Sequence, residues 1–233
     1  MEKIVLPNIN EELAEIIGAV IGDGTIPNSK NYNYALSIYG NANKDVEYIN
    51  YLKNQFKKLF CIDMKISYAP NNSLYIRKGS KQLCEFFVNN LGFNYGPKTN
   101  IDIPNFIKTD ETFSKMCIRG IFDTDGCMTV QKFSKYKYPL IKLTTKSHAL
   151  ACSLKDLLRT LTFNAFISIK KRKPNIIYDV VIKGFYQVEK FYSIIGSSNA
   201  RNITVFTKYK KDIKLQEHYA FQNINKNQRG KKE

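Results

Sequence analysis

The 233 residues carry 36 Lys and Arg against 20 Asp and Glu, a formal +16, in a chain that is 43% hydrophobic and 24% charged. That composition supports a packed core, and a cationic excess of this size is the footprint of a polyanion, nucleic acid first, although lysine also accumulates under AT-rich coding. No stretch is long and apolar enough for a membrane span, and Met1 to Pro7 lacks the core of a signal peptide; two distant histidines and five scattered cysteines argue against disulfides, zinc and histidine chemistry, which leaves carboxylates and a hard metal for any hydrolysis.

In chain order, the spacing predicts a helix over Leu13 to Gly24, capped by Asn8 or Asn10, then an extended aromatic stretch from Tyr34 to Tyr39. Val46, Ile49, Leu52 and Phe56 mark a second helix. Strands are expected at Ile62 to Tyr68 and Ser73 to Lys78, followed by a helix from Lys81 to Leu91. Residues 97–109, with Pro97 and Pro104, form a linker. The same order then recurs: a helix over Lys115 to Gly126 capped by Thr109 or Asp110, strands at Cys127 to Phe133 and Pro139 to Thr145, and a helix at Ala149 to Leu161. Strands at Ala165 to Lys171 and Ile176 to Lys183 and a helix at Tyr186 to Ile195 complete it. The reading is an α+β protein of two pseudo-twofold αββαββα halves, 1–96 and 110–222, with a polar, disordered tail over 223–233.

The two first helices align without a gap: Gly18 falls on Gly120, Asp23 on Asp125 and Gly24 on Gly126. Ala14, Gly18 and Gly22 make a smooth stripe on one, with Gly120 and Thr124 at matching places on the other. Glycine inside a helix costs about 1 kcal/mol against alanine, so paired glycines imply that another backbone approaches closely, and the other copy is the obvious partner. Each helix ends in Asp-Gly, the glycine read as a left-handed stop. An acid at a helix C-terminus meets the negative end of the dipole. Two such ends side by side need cations, and oxygen ligands without His or Cys fit Mg²⁺, with Mn²⁺ as substitute.

The pair IIGAVIGDG and IRGIFDTDG resembles the two motifs of the monomeric LAGLIDADG homing endonucleases, and the likeness extends over residues 8 to 210. That resemblance implies two saddle-shaped antiparallel sheets lying on double-stranded DNA, and Mg²⁺-dependent double-strand cleavage of a long asymmetric target by a functional monomer. It assigns metal binding to Asp23 and Asp125, with the carbonyls of Gly22 and Thr124 as further ligands. Ile21 replaces the earlier acid of the family motif, which Asp123 keeps. By the same resemblance Asn41 and Lys146 stand where a polar residue follows the second strand, and Lys98 and Arg201 where a basic residue follows the third helix. Phosphate and base contacts fall to Lys65, Arg77, Lys78, Lys132, Lys142, Lys170, Arg172 and Lys183, with alternate residues of Tyr34 to Tyr39 and Ser73 to Arg77 facing the bases.

Rival readings are a maturase bound to its host intron RNA and a non-cleaving DNA-binding regulator. Both Asp23 and Asp125 favour cleavage, and no clear helix-turn-helix accompanies the repeats. An intein is disfavoured because no splicing segments are expected around Met1 and Glu233. The expected compartment is intracellular, either archaeal cytoplasm or an organelle.

Overall fold

In the computed structural model the described residues are 4–27, 34–98, 100–133, 136–172 and 174–212. The first half runs α1 (Glu11–Asp23), β1 (Gly24–Thr25), β2 (Ala35–Asn41), α2 (Val46–Phe60), β3 (Lys65–Ala69), β4 (Ser73–Gly79) and α3 (Lys81–Glu85), which continues into a π turn over Phe86–Asn90. A short α4 (Asn105–Lys108) interrupts the linker. The second half runs α5 (Glu111–Asp125), β5 (Gly126–Phe133), β6 (Tyr136–Thr145), α6 (His148–Thr160), β7 (Ala165–Arg172), β8 (Asn175–Lys183) and α7 (Phe185–Ile194). A further helix occupies 200–212, which periodicity had not indicated. The tail over 223–233 lies outside the described residues.

Each half builds one antiparallel four-stranded sheet with the same order, β1-β2-β4-β3 and β5-β6-β8-β7. One face of each sheet is apolar and covered by its helices. Leu36, Ile38, Leu74 and Ile76 serve the first half, and Ile141, Leu143, Val180 and Ile182 the second. Aromatic rings fill the space between sheet and helices, with Phe56, Phe60 and Phe87 in one half and Phe122, Phe163 and Phe191 in the other.

Between the halves α1 packs along α5, and the glycine stripe explains how closely. A Cβ built on Gly18 would overlap the Cys117 carbonyl, and one on Gly120 the Glu15 carbonyl. Gly22 meets Thr124. Asn10 caps α1 by accepting from the Leu13 N–H (2.8 Å), and Asp110 caps α5 by accepting from that of Phe113 (2.8 Å).

The helix ends correct one expectation. Gly24 (φ −75°, ψ 152°) and Gly126 (φ −95°, ψ 161°) are extended, not left-handed. Glycine is needed there for space, because a Cβ would strike the Val20 or Phe122 carbonyl as the chain leaves the helix directly into β1 or β5. Asp23 and Asp125 therefore stand at the last helical position, one residue before a strand.

Candidate functional site

Because α1 and α5 run side by side and stop at matching points, Asp23 and Asp125 come within electrostatic reach of each other. Burial, then the charge of Asp125, lifts the Asp23 carboxyl to about 6; Asp45 adds to the rise, while Lys98 and Arg201 oppose it. Asp125 is also raised by burial, with Lys98 opposing. Solvent reaches Asp125 although the surrounding protein crowds it.

Lys98 sits at the C-terminus of α1. Its ammonium donates to the carbonyls of Ile21 (2.8 Å), Gly22 and, at 3.5 Å, Val20. Burial lowers its pKa, and the charges of Asp125 and Asp23 work against that. A cation on these last-turn carbonyls offsets the dipole that makes Asp23 an unfavourable helix end. A cleft of about 390 Å³ opens here, lined by Gly22, Lys98, Asp125, Thr144, Thr145 and the exposed Lys146. Asp125 also borders a second cleft of about 420 Å³ with Thr124, Cys127 and Arg201.

The donor set suits a hard divalent ion. Two crowded carboxylates whose negative forms are disfavoured gain most from a cation between them, and Mg²⁺ commonly takes one or two carboxylates plus water and substrate phosphate. Among the described residues no group of three or more His, Cys, Asp and Glu is placed to hold a metal. The Gly22 carbonyl is engaged by Lys98 and would have to be released to serve as a ligand. Thr124 turns its hydroxyl to the carbonyls of Gly120 (2.9 Å) and Ile121 (3.1 Å).

The other sequence-predicted residues are distributed unequally. Arg201 pairs with Asp45 (3.2 Å) and lies 3.4 Å from the Asp123 carbonyl. Asn41 spends its side-chain oxygen on the N–H groups of Asn43 (3.0 Å) and Lys44 (3.1 Å), holding the turn before α2. Lys65 and Arg77 are cross-strand neighbours on the outer face of the first sheet, beside Ser67 and Tyr75 in an open cleft of about 520 Å³. Lys78, opposite buried Leu36, instead reaches the Asp63 carbonyl (3.4 Å). Lys142 and Lys170 gather on the outer face of the second sheet around Asp179, and Lys183 lies over the Phe166 ring. Lys132 and Arg172 are placed by backbone register alone, opposite Lys137 and Asn175.

A buried polar network beneath the centre escaped the sequence reading. Segment 196–202 crosses from the second half onto the first. The Ser198 hydroxyl donates to Glu15 (2.6 Å), and Asn199 to Asp45 (3.0 Å) and to the Asp123 carbonyl (3.1 Å). Asp123 is buried and receives the Ser197 hydroxyl, the Ser198 N–H (2.6 Å) and Asn202 (3.1 Å). Asp45 occupies the N-cap position of α2 without capping it, its carboxylate being taken by Asn199, Arg201 and the Asn41 N–H (2.9 Å). The available signal was an aspartate before a helix, which reads as a cap.

Comparison with known proteins matches residues 112–196 to the LAGLIDADG-like domain and residues 14–91 to the WhiA LAGLIDADG-like domain. The homing endonuclease I-DmoI in complex with DNA and Mn is 18% identical, with a TM-score of 0.57 over 82% of this chain and 99% of that one. Its complex with DNA and Ca gives 17% and 0.60 over 85% and 97%. The meganuclease I-SmaMI bound to uncleaveable DNA gives 12% and 0.59 over 92% of each chain. A glutamine–fructose-6-phosphate aminotransferase (isomerizing) of Methanocaldococcus jannaschii is 27% identical over 169 residues, so the chain spans only 14% of that curated relative. At 12–18% identity the structural likenesses establish the fold.

Proposed function

The chain belongs to the LAGLIDADG-like family, with two such domains in one polypeptide, and from that premise we propose that it is a site-specific, metal-dependent double-strand DNA endonuclease acting as a monomer. The observation that carries this reading is the single crowded centre of Asp23 and Asp125, set where the ends of two packed helices meet, in a chain of +16. Mg²⁺ or Mn²⁺, held by these two carboxylates with backbone carbonyls, would supply water activation and charge neutralisation at the scissile phosphate. Lys98 and Lys146 line the same cleft and present cationic groups to the phosphate, Lys98 once it leaves the α1 carbonyls. Lys65, Arg77, Lys142, Lys170 and Lys183, on the outer sheet faces, hold duplex DNA. The likenesses reported above include DNA complexes, so duplex DNA and not intron RNA is the proposed substrate; the aminotransferase activity of the curated relative is not proposed for this chain.

The test is to incubate the protein with a pool of randomised duplexes and map the ends by sequencing, with Mg²⁺, with Ca²⁺ and with EDTA. Cutting at one consensus in Mg²⁺, binding with little cutting in Ca²⁺ and none in EDTA are expected. Full cutting in EDTA would overturn the mechanism. Consensus binding without cutting in any metal would favour a non-cleaving regulator, the reading that the WhiA likeness of residues 14–91 supports.

A further inference from the structure

The outer face of the second sheet holds one carboxylate among its lysines. Asp179 stands opposite Thr144 on β6 and Ser168 on β7, and is only 2% exposed. The Thr144 hydroxyl donates to it at 2.8 Å, the Lys170 ammonium lies 2.5 Å away and that of Lys142 3.9 Å. Burial pushes the carboxyl up, but the bonds from Lys170 and Thr144 and the charge of Lys142 bring it below the ordinary carboxylate range, so it is ionised at neutral pH. Asp179 is the one acidic residue in the described strands.

On a surface that meets DNA a carboxylate repels phosphate, so its effect on the two lysines is the feature to explain. A free lysine is a flexible point charge that follows phosphates whatever the sequence. A lysine held by a carboxylate keeps its N–H groups while its net charge is partly cancelled and its direction fixed. Such a donor suits base-edge acceptors, and guanine presents two, O6 and N7, in the major groove.

We propose that Asp179 is a specificity-determining positioning residue, which holds Lys170 and Lys142 so that they read guanine in the half-site covered by the second sheet instead of adding to non-specific phosphate attraction. The assignment rests on the DNA-binding reading above. It makes the two halves unequal, since among the described strands the acidic residue belongs to the second sheet.

The experiment selects bound duplexes from a randomised pool with wild type, Asp179→Asn, Lys170→Met and, as a charge control on the exposed face of α2, Glu47→Gln. Wild type should yield a consensus with guanine at adjacent positions of one half-site. Asp179→Asn and Lys170→Met should both lose that preference and leave the remaining positions intact. Asp179→Asn should also bind a random-sequence duplex several-fold more tightly than Glu47→Gln does, with a salt slope steeper by about 1–2, since each added phosphate contact contributes roughly 0.9. An unchanged consensus in Asp179→Asn, or random-duplex affinity no higher than that of Glu47→Gln, overturns the assignment. Should Asp179→Asn fail to fold, retention of the guanine positions by Lys170→Met overturns it and their loss sustains it. Absence of any consensus in wild type removes the DNA-specific reading itself, and this assignment with it.

Discussion

Gly18 and Gly120 press against backbone carbonyls of the opposite helix, which cannot move aside without shifting the helix itself, whereas Gly22 meets chiefly the Thr124 side chain, whose hydroxyl can rotate. The helix-propensity gain of Gly→Ala is about 1 kcal/mol, and overpacking of a rigid contact costs about 1–3 kcal/mol or more. Gly18→Ala and Gly120→Ala should therefore lower the melting temperature by several degrees, and Gly22→Ala by less. Equal, small effects at all three would show that the interface is looser than its geometry. A second expectation concerns Asp23, held at about 6 by burial and then by Asp125, above the ordinary value near 3.9. The folded, metal-free protein binds that proton more tightly than the unfolded chain, so stability falls as pH rises from about 4 to about 6. In a chelator at pH 7.5, Asp23→Asn should gain on the order of 1–2 kcal/mol, a few degrees, and at pH 4 no difference should remain. Identical melting curves at both pH values would show a well-solvated helix end. At this scale the two aspartates were legible because the repeat duplicates them. Asp45 and Asp179 were not, since an acid before a helix reads as a cap and one in a strand as part of a polar face.

At the level of elements, the repeated order of helices and strands was legible from apolar spacing because each sheet buries one face and each helix one stripe. Three elements were missed, the first of them the two-residue β1 that takes up Gly24 straight from the helix. Short α4 interrupts a linker whose prolines suggested only a turn. The helix over 200–212 follows Gly196-Ser-Ser-Asn, a turn-like run, and offers few apolar positions; Phe206 stacks on Tyr192 (3.9 Å) and Tyr209 on Phe185 (6.2 Å) to hold it. Segment 196–202, which runs into its first turn, joins the halves. Asn199 is 1% exposed and donates to both Asp45 and the Asp123 carbonyl. Asn199→Ala removes one of the three donors to the buried Asp45 carboxylate and the better donor to the Asp123 carbonyl, and about 1–3 kcal/mol of stability should be lost. Double-strand cutting should fall with it as the two aspartates lose their spacing. Thermal melting paired with a cleavage assay checks this; a variant as stable as wild type would make the segment a surface loop without a joining role.

For the whole molecule, charge and pseudo-symmetry set the behaviour. With +16 and basic side chains on the outer faces of two sheets, engagement of about six phosphates or more should give a log–log salt slope of roughly −5 or steeper. A flat dependence would assign the lysine excess to coding bias. The twofold relation is only approximate: Lys98 lies on the α1 carbonyls, while Arg201 is held by Asp45 of the other half. Both halves nevertheless supply one acid each to a single centre, and that is the central claim. Its most direct test is cleavage and gel-shift analysis of Asp23→Asn and Asp125→Asn on a duplex carrying the selected consensus. Each variant should bind the duplex at least as tightly as wild type, since a carboxylate facing phosphate is gone, yet lose double-strand cutting by orders of magnitude or leave only a nick. Double-strand cutting at the wild-type rate by either variant would contradict the claim and leave that aspartate as no more than the end of a helix.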